Sequence, residues 1–556
     1  MFLYKNAVKI IFTALIALTL FLVMAPFKPT SSSLRYIVQG TNTDTITELT
    51  EKTGGEITHT LPIINAIGAK LTEQQRQTLL RYPQVIAIYA DRTIHSAGKD
   101  DDDEDDENEG DDNVRSDLAP DLNYAARIEA SRLHHSNITG RGISVAVIDT
   151  GIDKRFEHLT QDTEEDDRIL AYYDAIRDKE NKGGKDGSGH GSHVASIAVS
   201  SGRFEDDGGY AGIAPDADLV SIKAFDKEGK GTYLDVIRAL DWALANQDKY
   251  NIRVLNLSFS APPQSLYWHD PLNLAVMTAW QAGIVVVASA GNTGPDPMTI
   301  GVPGNVPYII TVGAMSDNKT LQTDDDMLAG FSSAGPTIEG FVKPEVVAPG
   351  TRLLGLMKKN TQIGKEYKDN FYFDEHFVMS GTSQATAVVT GTVALMLQQD
   401  PSLTPDMVKC RLMASAHPAL SGADELAYSV FQQGAGMVNA YQATYSSALD
   451  CANGNLDIAL DLSGEQHYAG LARRDQDGNF YIEGSDFYQW DGEFASGNGF
   501  MWRDGFMWRD GLMWRDGFMW RDGFMWRDGL MWRDGLMWRD SVNQAADISV
   551  NRWVED

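Results

Sequence analysis

Between about Leu118 and Ala448, short runs of aliphatic and β-branched residues alternate with longer stretches of helical character. Ile143–Ile148, Leu219–Ala224, Val254–Leu257, Ile284–Ala288 and Ile309–Val312 are mostly apolar at consecutive rather than alternate positions. Strands covered on both faces read that way, so these runs predict a buried parallel sheet. Tyr233–Asn246 and Leu272–Ala282 lie between them and predict helices. The fold class that follows is α/β, a parallel sheet with helices on both faces.

Ahead of this region, residues 35–95 predict a smaller α/β unit. A strand at Arg35–Gln39 is followed by a helix near Asp44–Thr53, strands at Glu56–Thr60 and Ile63–Leu71, a helix near Glu73–Tyr82 and a strand at Val85–Tyr89. The order β-α-β-β-α-β is ferredoxin-like. Residues 96–117, which contain the acidic run Lys99–Asn113, offer nothing apolar to bury and read as a solvated linker. The run lacks turn glycines at coordinating spacing, so calcium capture is the weaker reading of it.

Beyond the sheet region, residues 449–499 form an extension, 500–541 a repeat tract and 542–556 a tail. The tract holds seven copies of Phe/Leu-Met-Trp-Arg-Asp-Gly, the last ending in Ser541. An even period keeps step with the β pleat, placing Phe/Leu, Trp and Asp on one face. A β-rich array is expected, with the indole rings forming its own core; contact with a polymer or cell surface is the alternative. Asp475–Asn479 lies between Leu471 and Phe480-Tyr-Ile482 and reads as a hairpin turn rather than a calcium loop.

Residues 1–27 place Lys5 and Lys9 before an apolar run, Ile10–Ala25, in the layout of an export signal. Such a run is short for a hydrocarbon core of roughly 30 Å, so cleavage after export is expected, with a retained membrane anchor as the alternative. In an oxidising setting the two cysteines, Cys410 and Cys451, could bridge; the competing reading is two buried thiols. With 556 residues the chain exceeds one compact core. Asp and Glu outnumber Lys and Arg 78 to 47, a net charge of −31 that excludes a nucleic-acid partner.

Three segments carry candidate chemistry. Val145-Ala-Val-Ile-Asp149-Thr-Gly ends an apolar strand in a carboxylate and a turn, where functional groups of open α/β sheets gather. Gly187-Ser-Gly-His190-Gly-Ser-His193 flanks a histidine with glycines, which predicts an exposed base at a helix start. A metal pair of His190 with His193 lacks a nearby third ligand. Met379-Ser-Gly-Thr-Ser383 leads from a glycine turn into a small-residue helix, where Ser383 would meet free backbone N–H groups. Taken singly, Asp149 and Ser383 also read as loop and cap residues.

Together, in the order Asp, His, Ser, and with Ala290-Gly-Asn292-Thr-Gly between the last two, these segments resemble the subtilase family. The resemblance covers about 330 of 556 residues and includes Gly212-Ile-Ala-Pro215, Phe331-Ser-Ser-Ala-Gly-Pro336 and Lys343-Pro-Glu-Val-Val-Ala-Pro-Gly350. It implies a secreted serine endopeptidase in which Ser383 is nucleophile, His190 general base, Asp149 its orienting carboxylate and Asn292 an oxyanion donor. Substrate would lie along Ser258, Phe259 and Ser260 and along Ala290 and Gly291. Ser260 stands where Gly is common in the family, and Ser192, Gln384 and Ala387 replace the usual Thr, Met and Pro. The unit at 35–95 resembles the family's inhibitory propeptide, an intramolecular partner removed by a cut between Ser96 and Asp117. Protein or peptide substrates are implied; the chemistry needs no cofactor, and structural calcium is left unassigned. Two other readings compete: an inactive relative that binds or adheres to surfaces through its repeats, and an esterase. The esterase reading lacks the Gly-x-Ser-x-Gly elbow around Ser383.

Overall fold

The computed structural model describes residues 33–96, 120–122, 124–181, 184–203, 209–316, 318, 320–321, 325–421, 426–483, 489–492, 495–496 and 552–554. The export-signal segment, the acidic run and the hexapeptide repeats lie outside the described residues.

The first unit comprises β1 (Leu34–Gly40), α1 (Thr43–Lys52), β2 (Glu56–Leu61), β3 (Ala66–Leu71), α2 (Glu73–Leu79) and β4 (Val85–Ala90). Its antiparallel sheet has the order β2-β3-β1-β4. Val38, Ile46, Ile67, Ala69, Leu71, Leu79 and Val85 give it a core of its own. The sequence placed a strand from Ile63 onward. Instead Pro62–Ile64 makes one 3-10 turn that ends on Asn65 in the left-handed region, φ 51°, and β3 starts only at Ala66. Pro62 has no N–H to give a ladder, which favours the turn.

The larger body is a parallel sheet of β6 (Ser144–Asp149), β7 (Ile169–Asp174), β8 (Asp218–Lys223), β10 (Ile252–Leu257), β12 (Val285–Ser289), β13 (Ile310–Ser316) and β14 (Val346–Pro349). Across the sheet they run β7-β8-β6-β10-β12-β13-β14. Helices α3 (His190–Val199) and α6 (Thr382–Gln399) pack against each other, as do α4 (Tyr233–Ala245) and α5 (Pro271–Gln281). From β6 the chain first builds toward β7 and then crosses to β10 on the other side. The carboxyl end of β6 is therefore the point at which the winding reverses, where open α/β sheets form their crevice.

The first unit rests on α4 and α5. Ile63 N donates to Asp241 Oδ1 (2.7 Å), Leu234 N to Asp91 Oδ1 (3.2 Å), and Arg238 to Thr58 O (3.0 Å). After β4 the chain enters β5 (Thr93–Ser96), which pairs antiparallel with both β9 (Lys230–Thr232) and β11 (Phe259–Ser260). A strand from the first unit thus lies between two strands of the body.

The extension after residue 448 is knitted into the body. Asp461, on α7 (Ile458–Ser463), accepts from Tyr267 (2.5 Å) and Tyr308 (2.9 Å) and pairs with His467 Nδ1 (2.7 Å), while Trp268 stacks on His467. Residues 475–479 join Ala472–Arg474 to Phe480–Ile482 as a hairpin, with Asp475 Oδ1 accepting from Asp477 N and Asn479 N. Arg552–Val554 pairs antiparallel with His467–Ala469. No helix among the described residues is long and apolar enough to cross a membrane.

Cys410 and Cys451 form a disulfide within a small buried cluster with Ala414, Ala448 and Ala452. At a sequence separation of 41, chain entropy assigns the bridge about 4 kcal/mol. Replacing both cysteines by Ser is expected to lower Tm by on the order of 10 °C. Calorimetry checks this; an unchanged Tm would show that the bridge adds no stability.

Candidate active site

Asp149 is the last residue of β6 and is buried. Both of its carboxylate oxygens lie near His190 Nδ1, at 2.8 and 2.9 Å, and Oδ1 also accepts from Thr150 N (2.7 Å). His190 is the first residue of α3 and has no exposure, contrary to the expectation of an exposed base. The neighbouring glycine has a different use. A β-carbon on Gly191 would stand 2.3 Å from Gly151 O, so its absence lets the helix start press against the turn that carries Asp149.

Burial pushes the His190 imidazolium pKa down, but the charge of Asp149 and its hydrogen bond outweigh that, and the net direction is up. His190 Nε2 is buried and has no hydrogen-bond partner among the described residues. With Nδ1 bound to a carboxylate, Nδ1 carries the proton in the neutral ring and Nε2 keeps its lone pair.

Asp186, which the sequence reading passed over, organises this loop. Buried, it accepts from Thr150 Oγ1 (2.9 Å), Ser188 N (3.0 Å), Gly189 N (2.8 Å) and Ser192 N (2.9 Å). Ser192 Oγ in turn accepts from Asp153 N (3.0 Å), so the residue that departs from the family pattern still ties α3 to the turn after β6.

Ser383 sits in the first turn of the 18-residue helix α6. Its Oγ donates to Ser258 O (3.2 Å), and Ser258 Oγ donates to Ser383 O (3.1 Å). Ser258 Oγ accepts from Asn256 Nδ2 (2.9 Å), while Asn256 Oδ1 accepts from Thr390 (2.8 Å). This polar chain fixes α6 against the end of β10. Helices α3 and α6 also meet through Gln384 Nε2 and His193 Nδ1, 3.4 Å apart. Their first turns, with His190 and Ser383, therefore begin at one end of the sheet.

Asn292 Oδ1 accepts from Thr382 N (3.0 Å) and Thr382 Oγ1 (2.8 Å). That pair of contacts sets the amide orientation and turns its NH₂ away from Thr382. Gly291, at φ 112°, holds a conformation that a side chain would strain. Ala290 is bonded to both β13 and Gly301, so the 290–292 turn is held on both sides.

His193 is separate from this chemistry. Its Nε2 donates to Phe377 O (3.0 Å), and burial pushes its pKa down to about 3, which keeps it neutral. Among the described residues no group of three or more His, Cys, Asp or Glu is arranged to hold a metal ion. Phe259 is fully buried against Phe225, with ring centroids 5.1 Å apart, while Ser260 is half-buried. Asp186, Asn256 and Thr382 act through backbone N–H groups and side-chain relays. The Asp before Gly187 is the one sequence signal that could have pointed to this scaffold.

Comparison with known proteins places these features in context. The model of the subtilase family matches residues 140–441. Serine protease AprX of Bacillus subtilis (strain 168) is 41% identical over 308 residues, covering 54% of this chain and 66% of AprX, just under two thirds of that relative. Subtilisin E of the same organism is 29% identical over 366 residues, 65% of this chain and 78% of that protein. The crystal structure of fervidolysin from Fervidobacterium pennivorans, described as a keratinolytic enzyme related to subtilisin, aligns with a TM-score of 0.55 at 22% identity. It covers 77% of this chain and 65% of fervidolysin, a likeness of fold.

Proposed function

The chain belongs to the subtilase family, and from that premise we propose that it is a serine endopeptidase using Asp149, His190 and Ser383. The observation that carries the reading is the Asp149–His190 pair, 2.8 Å apart at the point where the sheet winding reverses, with Nε2 left unpartnered among the described residues. Ser383 Oγ attacks a peptide carbonyl carbon as its proton passes to His190 Nε2. Asp149 holds the imidazole tautomer and stabilises the cation. Negative charge on the former carbonyl oxygen meets the Asn292 amide and the backbone N–H of Ser383. His190 then protonates the leaving amine, and the new terminus departs. Water attacks the acyl ester with its proton going to His190, which returns it to Ser383.

The enzyme is made as an exported precursor, with residues 35–95 as an intramolecular inhibitor. Supporting this, β5 runs antiparallel between β9 and β11, as an extended peptide would, at the segment that leads from Ser258. The test is hydrolysis of soluble casein, abolished by a fluorophosphonate that leaves its adduct on Ser383. Casein left intact by the matured chain, or labelling elsewhere, would overturn the reading. Replacing Asn292 by Leu is expected to lower kcat by about 10²–10³-fold with a smaller change in KM, the scale known from subtilisin itself. Steady-state kinetics checks it.

A further inference from the structure

Three backbone segments, 258–261, 290–292 and 301–302, come together as walls around the Ser260 side chain, and Ser258 O accepts from Ser383 Oγ (3.2 Å). Ala261 and Val302 exchange backbone hydrogen bonds of 3.0 and 2.7 Å, and Gly301 N donates to Ala290 O (3.0 Å). The walls are thereby fixed to one another. Into this space projects the Ser260 side chain. A β-carbon built on Gly301 would stand 1.8 Å from Ser260 Oγ, and one on Gly291 would stand 3.0 Å from it. The hydroxyl thus occupies room that the two glycines leave open, reaching from one wall toward the other two. With glycine at position 260 that volume would pass to a substrate side chain.

A second observation concerns what this cleft accepts. In the antiparallel pairing of β5 with β11, His95 faces Ser260 and Ser96 faces Phe259. An extended peptide on that register presents its next residue to Ser258, whose carbonyl accepts the Ser383 hydroxyl. In this chain's own sequence the residue after Ser96 is Ala97, which is small. Ile94, opposite Gly231, is fully buried, so an aliphatic side chain is taken up three residues before that position.

We propose that Ser260 restricts the pocket beside Ser383 to small side chains, so that the enzyme cuts after alanine in preference to large apolar or aromatic residues. This rests on the peptidase reading above. The test compares two p-nitroanilides, Ile-His-Ser-Ala and Ile-His-Ser-Phe. The parent is expected to favour alanine at least tenfold in kcat/KM. In Ser260→Ala, which removes only the hydroxyl, the alanine-to-phenylalanine ratio should fall by at least tenfold, and in Ser260→Gly further still, with unfolding curves confirming folded variants. A parent that favours phenylalanine, or a ratio that stays within twofold in both variants, overturns the proposal. Should neither anilide nor casein be cut, the peptidase reading fails separately, and the pocket is judged by calorimetric titration of the full chain with peptides ending in Ser-Ala or Ser-Phe. Tenfold tighter binding of the alanine peptide supports the restriction; no preference or the reverse overturns it.

Discussion

Replacing Ser383 by Ala is expected to lower casein hydrolysis by at least about 10⁴-fold, a scale established for triad residues of subtilisin itself. The same substitution should leave the precursor at full length. The reason is geometric: the Ser383 hydroxyl in the first turn of α6 is directed by Ser258 O, whereas the neighbouring Thr382 hydroxyl donates to Asn292 Oδ1. Mass spectrometry of the purified chain reads the second outcome directly. A Ser383→Ala chain that still loses its first unit in a protease-free host would show that maturation is carried out by another enzyme. One that still cuts casein at parental rate would show that Ser383 is not the nucleophile.

The second large effect is expected for Asp149→Asn, which keeps the shape of the side chain and removes its charge. The proposed mechanism needs His190 neutral, with its lone pair on Nε2. In the parent the imidazolium is held above its ordinary range by Asp149, against the downward push of burial. The acid limb of kcat/KM should therefore lie above pH 6.5, with activity lost as pH falls through it. In Asp149→Asn the upward contribution disappears and burial remains, so the limb moves to lower pH. The amide can also present an N–H to the ring and stabilise the other tautomer, which costs about 10⁴-fold in kcat. A pH–rate profile reads both effects. A limb that stays in place after the substitution would mean that Asp149 does not control the charge of His190.

Much of the fold was legible because a sheet covered on both faces needs consecutive apolar residues. The runs at 143–148, 284–288 and 309–312 correspond to β6, β12 and β13 within a few residues. The strand Ile169–Asp174 escaped that criterion because its Leu170 stays exposed and its tyrosines read as polar. Val346–Pro349 is four residues long and ends in proline, so it looks like a loop. At the site, Asp149, His190 and Ser383 were legible because glycines and a strand end flank them. What the sequence could not show was burial: the glycine after His190 serves close approach to Gly151, and the histidine is enclosed. Nor could spacing reveal Asp186, whose four acceptor contacts are to groups scattered from Thr150 to Ser192. The direction of the Ser260 side chain depends on three segments that are distant in sequence and adjacent only after folding.

The pairing of Arg552–Val554 with His467–Ala469 has a consequence for inheritance. In the sequence all seven tryptophan hexapeptides lie between Ser496 and Arg552. Near-identical units are what slipped copying of a gene adds or deletes. A change by whole units leaves the residues of both paired segments unaltered, so copy number can drift between generations without rewriting either partner of this pairing.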